Sequence, residues 1–324
     1  MTEGDHYIPD HSFSPVLEKE VPLLYAGVRL DKVLARLFPD YSRSRIQQWL
    51  RQGEVCVDGR VIEDTTFKLS GNEIISLAVP ADGGHLVDQA EAIPLDIVYE
   101  DDAVIVINKA VGQVVHPGNG NRNGTLLNAL LHHASGLAAL PRAGIVHRLD
   151  KDTSGLMVVA RTLTAQTHLV RQLQARQVKR HYYALVSGVI HSPLLRIDQP
   201  IGRHPVHRVR MAVVPGGKEA VTVIEVKQRF HDACWVECRL ETGRTHQIRV
   251  HLSHQGHPLL GDSVYGGRRA TSALHGACNR QALHAFQLGL IHPLDNQPRM
   301  WQVAMPQDMQ SWLDVLRAEG RAFE

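Results

Sequence analysis

The sequence predicts two domains, each mixing helices with strands, and three observations carry that expectation. A helix-period stretch followed by a hairpin ends near residue 79. A glycine-containing acidic stretch without periodicity fills residues 80–94, and a longer body of strand and helix patterns occupies 95–324. With 324 residues, 44% of them apolar, the chain can bury two cores.

Residues 1–20 lack apolar periodicity and are expected to form a flexible tail. In the first domain, residues 21–79, Leu30, Val33, Leu34 and Leu37 recur at helical spacing, with Pro39 beyond them as a stop. Ser42 can cap a second helix whose apolar residues are Ile46, Trp49 and Leu50, with Gly53 as its end. Residues 54–57 and 60–62 flank Asp58-Gly59, the turn pair of a tight hairpin, and 74–79 read as one more strand. Arg43, Arg45 and Arg51 lie off the apolar face of the second helix.

In the body, residues 97–99 and 104–107 read as a hairpin. Thr125 can cap a helix running to His133, and 163–177 form a further helix. Strands follow at 183–186, 220–229, 234–241 and 283–290, and Pro306 opens a last helix. Residues 198–218 read as a basic loop carrying Arg203, His204, His207, Arg208 and Arg210 against Asp198 alone.

The body is organised around residues 144–160. Ile145-Val146 and Leu156 to Ala160 read as short buried strands, and between them lies the polar insert His147-Arg148-Leu149-Asp150-Lys151-Asp152-Thr153-Ser154. A simple turn needs no such density of charge, so the insert is the candidate active-site loop. Two further stretches stand out: the acid-free run holding Arg171, Arg176, Lys179 and Arg180, followed by Tyr182 and Tyr183, and the run Glu241 to His251. In the latter, Gly243 marks a turn, Thr245 is the expected helix cap, and Arg249 offers a guanidinium. A carboxylate in a water-poor site tends to take up a proton, and a neighbouring guanidinium keeps it ionised and aimed.

Charge and composition restrict the function. Residues 81–102 carry seven acids and no base, whereas residues 103–324 carry 26 bases against 14 acids. Such a basic body suggests a polyanionic partner, nucleic acid or membrane. No apolar run is long enough to span a bilayer, and Met1 to Asp5 lacks the features of a signal peptide. A cytoplasmic protein is therefore expected, and four scattered cysteines suit a reducing compartment. Cys234 and Cys238 share a strand face and are expected to pack. His246, His251, His254 and His257 lack the HExxH pattern, and no metal is expected. Neither a phosphate-binding glycine loop nor a dinucleotide fingerprint is present, so no cofactor is expected.

The run His147 to Leu156 resembles the catalytic signature of the RluA-type pseudouridine synthases, most closely the D group acting on the large ribosomal subunit. Gly112 to Gly118, Arg180-His181-Tyr182 and the Gly243 to Arg249 run are similar to further segments of that family. Arg29-Leu30-Asp31, residues 41–45 and the 55–59 hairpin resemble the αL RNA-binding motif of ribosomal proteins. The resemblance implies an α+β protein: an αL RNA-binding domain joined by the acidic linker to a catalytic domain with a mixed, largely antiparallel sheet flanked by helices. It implies Asp150 as the catalytic carboxylate, attacking C1′ or removing the C2′ proton, and Arg249 as its ion-pair partner. Tyr182, with Tyr183 as the alternative, would stack on the base, while a direct catalytic role for His116 is not expected.

Arg148, Arg43, Arg45, Arg51, Arg176, Lys179, Arg180, Arg203 and Arg208 are the expected RNA contacts. The implied substrate is uridine in helix 69 of 23S ribosomal RNA, free or in a precursor of the large subunit, acted on by a monomer not bound to membrane. Two other classes fit parts of the chain: a non-catalytic ribosome-assembly factor, and a metal-dependent hydrolase built on the histidine cluster.

Overall fold

The computed structural model describes residues 16–38, 41, 43–79, 89–118, 121–207, 210–266 and 278–318, with the side chains of 43–45 left out. Pro39, Ser42, most of the 80–94 linker, Arg208 and the side chains of Arg43 and Arg45 therefore lie outside the described residues. The chain divides into two units, Met1–Val87 and Asp88–Glu324.

In the first unit, helices α1 (Leu30–Leu37) and α2 (Arg43–Arg51) pack Leu30, Val33, Leu34, Ile46, Trp49 and Leu50 into one core. Gly53 ends α2 at a φ of 77°, a left-handed backbone open to glycine. Strands β2 (Val55–Val57) and β3 (Arg60–Val61) join through Asp58 and Gly59, both at positive φ, as an Asp-Gly hairpin requires. Strand β4 (Ile74–Ala78) pairs β2 on one side. On its other side it takes β1 (Val16–Glu20), which corrects the expectation of a flexible tail for those five residues. Leu17 packs against the core, so the burial is shallow; a single inward residue leaves no periodicity to read.

The second unit is built on a nine-stranded sheet. Its strands are β5 (Ile97–Glu100), β6 (Val104–Lys109), β7 (Ser154–Ala160), β8 (Lys179–Ser187), β9 (Leu194–Asp198), β12 (Val221–Arg229), β13 (Ala233–Leu240), β14 (Leu283–Ile291) and β15 (Pro298–Gln302). They run β5-β6-β7-β14-β8-β13-β12-β9, with β15 extending β14. The short β7–β14 contact is parallel and every other pairing is antiparallel, so the sheet is mixed and largely antiparallel. Helices α3 (Leu126–His133), α4 (Leu163–Gln174), α5 (Gln247–His254) and α6 (Gln307–Ala318) complete the unit. Thr125 caps α3 in a reciprocal box with Asn128, and Thr162 caps α4. Cys234 and Cys238 are both buried in β13.

Three expectations change. Ile145-Val146 is no strand; Ile145 makes a lone bridge to Val159. Residues 198–218 are not all loop, because β10 (Ile201–Arg203) and β11 (Met211–Val213) form a separate hairpin. The strand expected at 183–186 begins earlier, at Lys179 and Arg180 of β8, and Arg180 is buried.

Candidate active site

The sheet's parallel contact sets the active loop. His284 and Ala285 of β14 lie beside Ser154 and Gly155, where β7 begins. Gly155 has a φ of 114°, and any Cβ there would collide with the Ala285 carbonyl oxygen, so only glycine lets the two strands meet. The polar insert is thereby delivered at the strand end.

Buried side chains then fasten that insert from several directions. Lys109 is 2% exposed, and its ammonium donates to the carbonyls of Ala110, Gln113 and Lys151 at 2.7, 3.0 and 3.0 Å. Burial pulls its pKa down to about 8. Arg280 grips Asp308 with two hydrogen bonds and donates a third to the Asp152 carbonyl at 3.1 Å. Gln281 donates to the Thr153 hydroxyl, and Ser154 pairs with His284 Nδ1 at 2.9 Å. His147 Nε2 accepts from the Val158 amide, and burial lowers the histidine's pKa to about 3, so it stays neutral.

Within this frame Asp150 presents a side chain 18% exposed. Arg249 Nη1 donates to its Oδ2 at 3.0 Å, which brings together the two residues that stood 99 positions apart in sequence. Arg249 is itself held by Asp262, whose carboxylate accepts from Nε at 2.7 Å and Nη2 at 2.9 Å. Burial opposes charge on both partners. The two carboxylates nevertheless hold the guanidinium above its ordinary range, and Arg249 holds Asp262 below the usual carboxylate value. Asp262 also accepts from the amides of Val264 and Tyr265. One guanidinium thus lies between two carboxylates, and Asp150 keeps one oxygen for other chemistry.

That second oxygen faces His246, whose Nε2 is 3.7 Å from Asp150 Oδ1. His246 Nδ1 lies 2.8 Å from the Tyr265 hydroxyl, which also accepts from the Met211 amide. In the tautomer that accepts the Tyr265 proton at Nδ1, Nε2–H is directed toward Asp150. Burial lowers the His246 pKa despite Asp150. Thr245 does not cap α5; His246 takes that position in a left-handed conformation at φ 56°. Gln247 replaces the cap by accepting from the Arg244 amide and the Thr242 hydroxyl. The other histidines of the cluster separate: His251 turns to Thr222 and the Gln199 carbonyl, and His257 to the Ser187 carbonyl. Among the described residues, no group of three or more His, Cys, Asp or Glu could hold a metal ion.

Strand alternation resolves the two tyrosines. Arg180, Tyr182, Ala184 and Val186 of β8 are buried, and the last three share the main core with Leu149 and Ile248. Tyr183 turns to the other face, stacked on Phe286 at 3.7 Å between ring centres. Tyr182 is within electrostatic reach of Asp150, and burial pushes its phenol up to about 12. Of the other expected contacts, Arg148, Arg51, Lys179 and Arg203 are exposed. Arg176 is exposed and pairs with Glu219 at 2.5 Å. Lys109, Asp262, Arg280 and His246 were not singled out as functional in the sequence. The acidic residue of Gly261-Asp262 was the available signal for one of them, but its partner lay in another run.

A loop that presents the Asp150 carboxylate to a guanidinium clamp and a buried tyrosine, delivered by a mixed sheet, defines an enzyme of the pseudouridine synthase class. The RNA pseudouridylate synthase family profile matches residues 103–254, and the S4 domain profile matches residues 28–75. The chain is 52% identical over 304 residues to the ribosomal large subunit pseudouridine synthase D of Nitrosomonas europaea, covering 93% of this chain and 88% of that protein. It is 50% identical over 312 residues to the protein of that name from Pseudomonas aeruginosa, covering 94% and 97%. Among solved structures, human RNA pseudouridylate synthase domain containing 4 superposes with a TM-score of 0.55 at 26% identity, over 68% of this chain and 92% of that one. The chain belongs to the RNA pseudouridylate synthase family. It is an RNA pseudouridine synthase with an S4 domain ahead of its catalytic domain.

Proposed function

We propose that the enzyme acts on uridine of 23S ribosomal RNA, in helix 69, as free RNA or in the assembling large subunit. The observation that carries the site reading is the 3.0 Å contact between Arg249 and Asp150. The names of the relatives, at 48–52% identity over most of the chain, support the ribosomal substrate. The enzyme works as a monomer in the cytoplasm; no helix among the described residues is long and apolar enough to cross a membrane.

The reaction breaks the bond between ribose C1′ and uracil N1, turns the base, and joins C1′ to C5; the C5 proton leaves and N1 takes one up. It conserves all other atoms and electrons, so the chain's own residues suffice. The target uridine leaves the stack and enters the site, with its sugar at Asp150 and its base on Tyr182. Arg249 occupies Asp150 Oδ2 and aims the carboxylate, leaving Oδ1 to attack C1′ or take the C2′ proton. A Tyr182 phenol raised to about 12 stays protonated at neutral pH and serves as a stacking surface and hydrogen-bond donor. Arg148 supports the extruded nucleotide. Arg43, Arg45, Arg51, Arg176, Lys179, Arg203 and Arg208 hold phosphates, which position the RNA without reading its sequence.

The test uses 23S RNA and large subunits tritiated at uracil C5. Wild type should release label from substrates with intact helix 69 and not from those with its uridines replaced, and Asp150→Asn should release none. Full release from the helix 69 variant would reassign the target; full release by Asp150→Asn would reassign the catalytic group.

A further inference from the structure

Arg180 is a buried cation without a counterion. It is 8% exposed, and among the described residues no carboxylate, hydroxyl or carbonyl bonds its guanidinium; Nε is buried without any partner. Its charged and titratable neighbours are Tyr182, Arg244 and the neutral His147, and no acid is among them. Burying a guanidinium unpaired is costly, and folds that keep one need something to arrive there. Arg249, in the same unit, has two carboxylates.

The surroundings are shaped for this head group. β13 ends beside the start of β8, with Arg239 opposite His181, and the chain then turns through Gly243 past Arg180. A Cβ on Gly243 would stand 2.5 Å from Arg180 Nη1. Gly243 has no positive φ, so it is the absent side chain and not the turn's backbone that matters here: it leaves the space the guanidinium occupies. Arg180 and Tyr182 alternate onto one face of β8, about 7 Å apart. Tyr182 lies within electrostatic reach of both Asp150 and Arg180, while Asp150 is not among the charges acting on Arg180. With its base stacked at Tyr182, a bound uridine has Arg180 as the neighbouring residue on the same face of β8.

We infer that Arg180 is a catalytic residue that receives the anionic uracil when it leaves the ribose. As C1′–N1 breaks, the bonding pair passes to N1 and spreads onto O2 and O4. Asp150 supplies electrons to C1′ or accepts the C2′ proton, and Arg180 keeps its own proton and donates hydrogen bonds to a carbonyl edge. C1′ then joins C5 as its bond to Asp150 breaks, or as the proton returns to C2′; the C5 proton leaves, N1 takes up a proton, and the base is again neutral. A phosphodiester, tied to nucleotides on both sides, fits this depth less well than a single base. The inference rests on the uridine orientation of the proposed function.

Arg180→Gln and Arg180→Lys, in the full chain, test it. Single-turnover reaction of 23S RNA should fall on the order of 10²-fold in the glutamine variant, as for loss of one donor to a developing anion. RNA affinity should stay within about twofold, lysine should restore part of the rate, and the melting temperature should hold or rise as an unpaired charge is removed. With 5-fluorouridine at the target, a base that leaves more readily as an anion, the deficit in uridine consumption should shrink by about an order of magnitude. Weaker RNA binding at an unchanged single-turnover rate would make Arg180 a phosphate contact. An equal deficit on both substrates, with a lowered melting temperature, would make it structural. Asp150→Asn separates the two proposals: if it is inactive while Arg180→Gln is fully active, only the role of Arg180 fails.

Discussion

The loop from Arg148 to Ser154 and the β10–β11 hairpin both carry the basic, polar sequence that suits RNA, yet the fold treats them oppositely. The loop is tied down by the buried cations Lys109 and Arg280 and by His147, Gln281 and His284. The hairpin holds Arg203 and His207 exposed, with His204 half-buried, beside its own small strand pair. Reaction geometry tolerates displacements of well under an ångström, so the loop is built from directional, desolvated contacts. Phosphate attraction acts over several ångströms in solvent, so exposure costs the hairpin little. Charge in the sequence marks both regions; burial separates the proposed catalytic loop from the proposed RNA grip.

The sharpest way to break this comparison is Asp262→Asn. It leaves Arg249 with one carboxylate, and a loosened clamp should cost roughly 10²-fold in kcat. RNA affinity should hold; tritium release and filter binding on one sample check both, and a pure binding defect would refute the clamp. Next is Lys109→Met, which removes the donor from three inward carbonyls, each costing about 1–3 kcal/mol if left unsatisfied. Its denaturation midpoint and kcat should fall together, whereas loss of one alone would show that the lysine does not tie loop to fold.

Three histidines whose protonation is opposed by burial give a pH signature. Burial lowers His116 and His284 to about 4 and His147 to about 3, each from an ordinary 6.5. Above pH 6.5 neither folded nor unfolded chain is protonated there. As pH falls from 6.5 toward 4 the unfolded chain takes up protons that the folded one refuses, so stability drops by up to about 1.4 kcal/mol per pH unit per histidine. A urea midpoint unchanged between pH 7.5 and 5 would contradict this; His147→Asn should flatten the slope. The smallest effect belongs to the hairpin. Arg203→Ala should weaken RNA binding a few-fold at unchanged kcat and reduce the salt slope by about one ion.

Much of the fold was legible because its signals are local. The caps Thr125 and Gly53, the Asp58-Gly59 turn, the 3.6-residue pattern of α1 and the run of β14 are each written within a dozen residues. The strand β1, with one inward leucine, and β15, with Trp301 alone packed against the core, carry too little pattern for that.

Asp150, Arg249 and Tyr182 were nameable from sequence because each sits in a distinctive run and because a carboxylate that must stay ionised needs a cation. What only the tertiary structure decided is which charges are desolvated and which are paired. Arg180, Arg249 and Arg148 look alike in the chain, but one is buried without a partner, one lies between two acids and one is exposed. Charge is a property of the residue. Its energy depends on the dielectric around it and on partners about a hundred positions away, and these exist only once the sheet has formed.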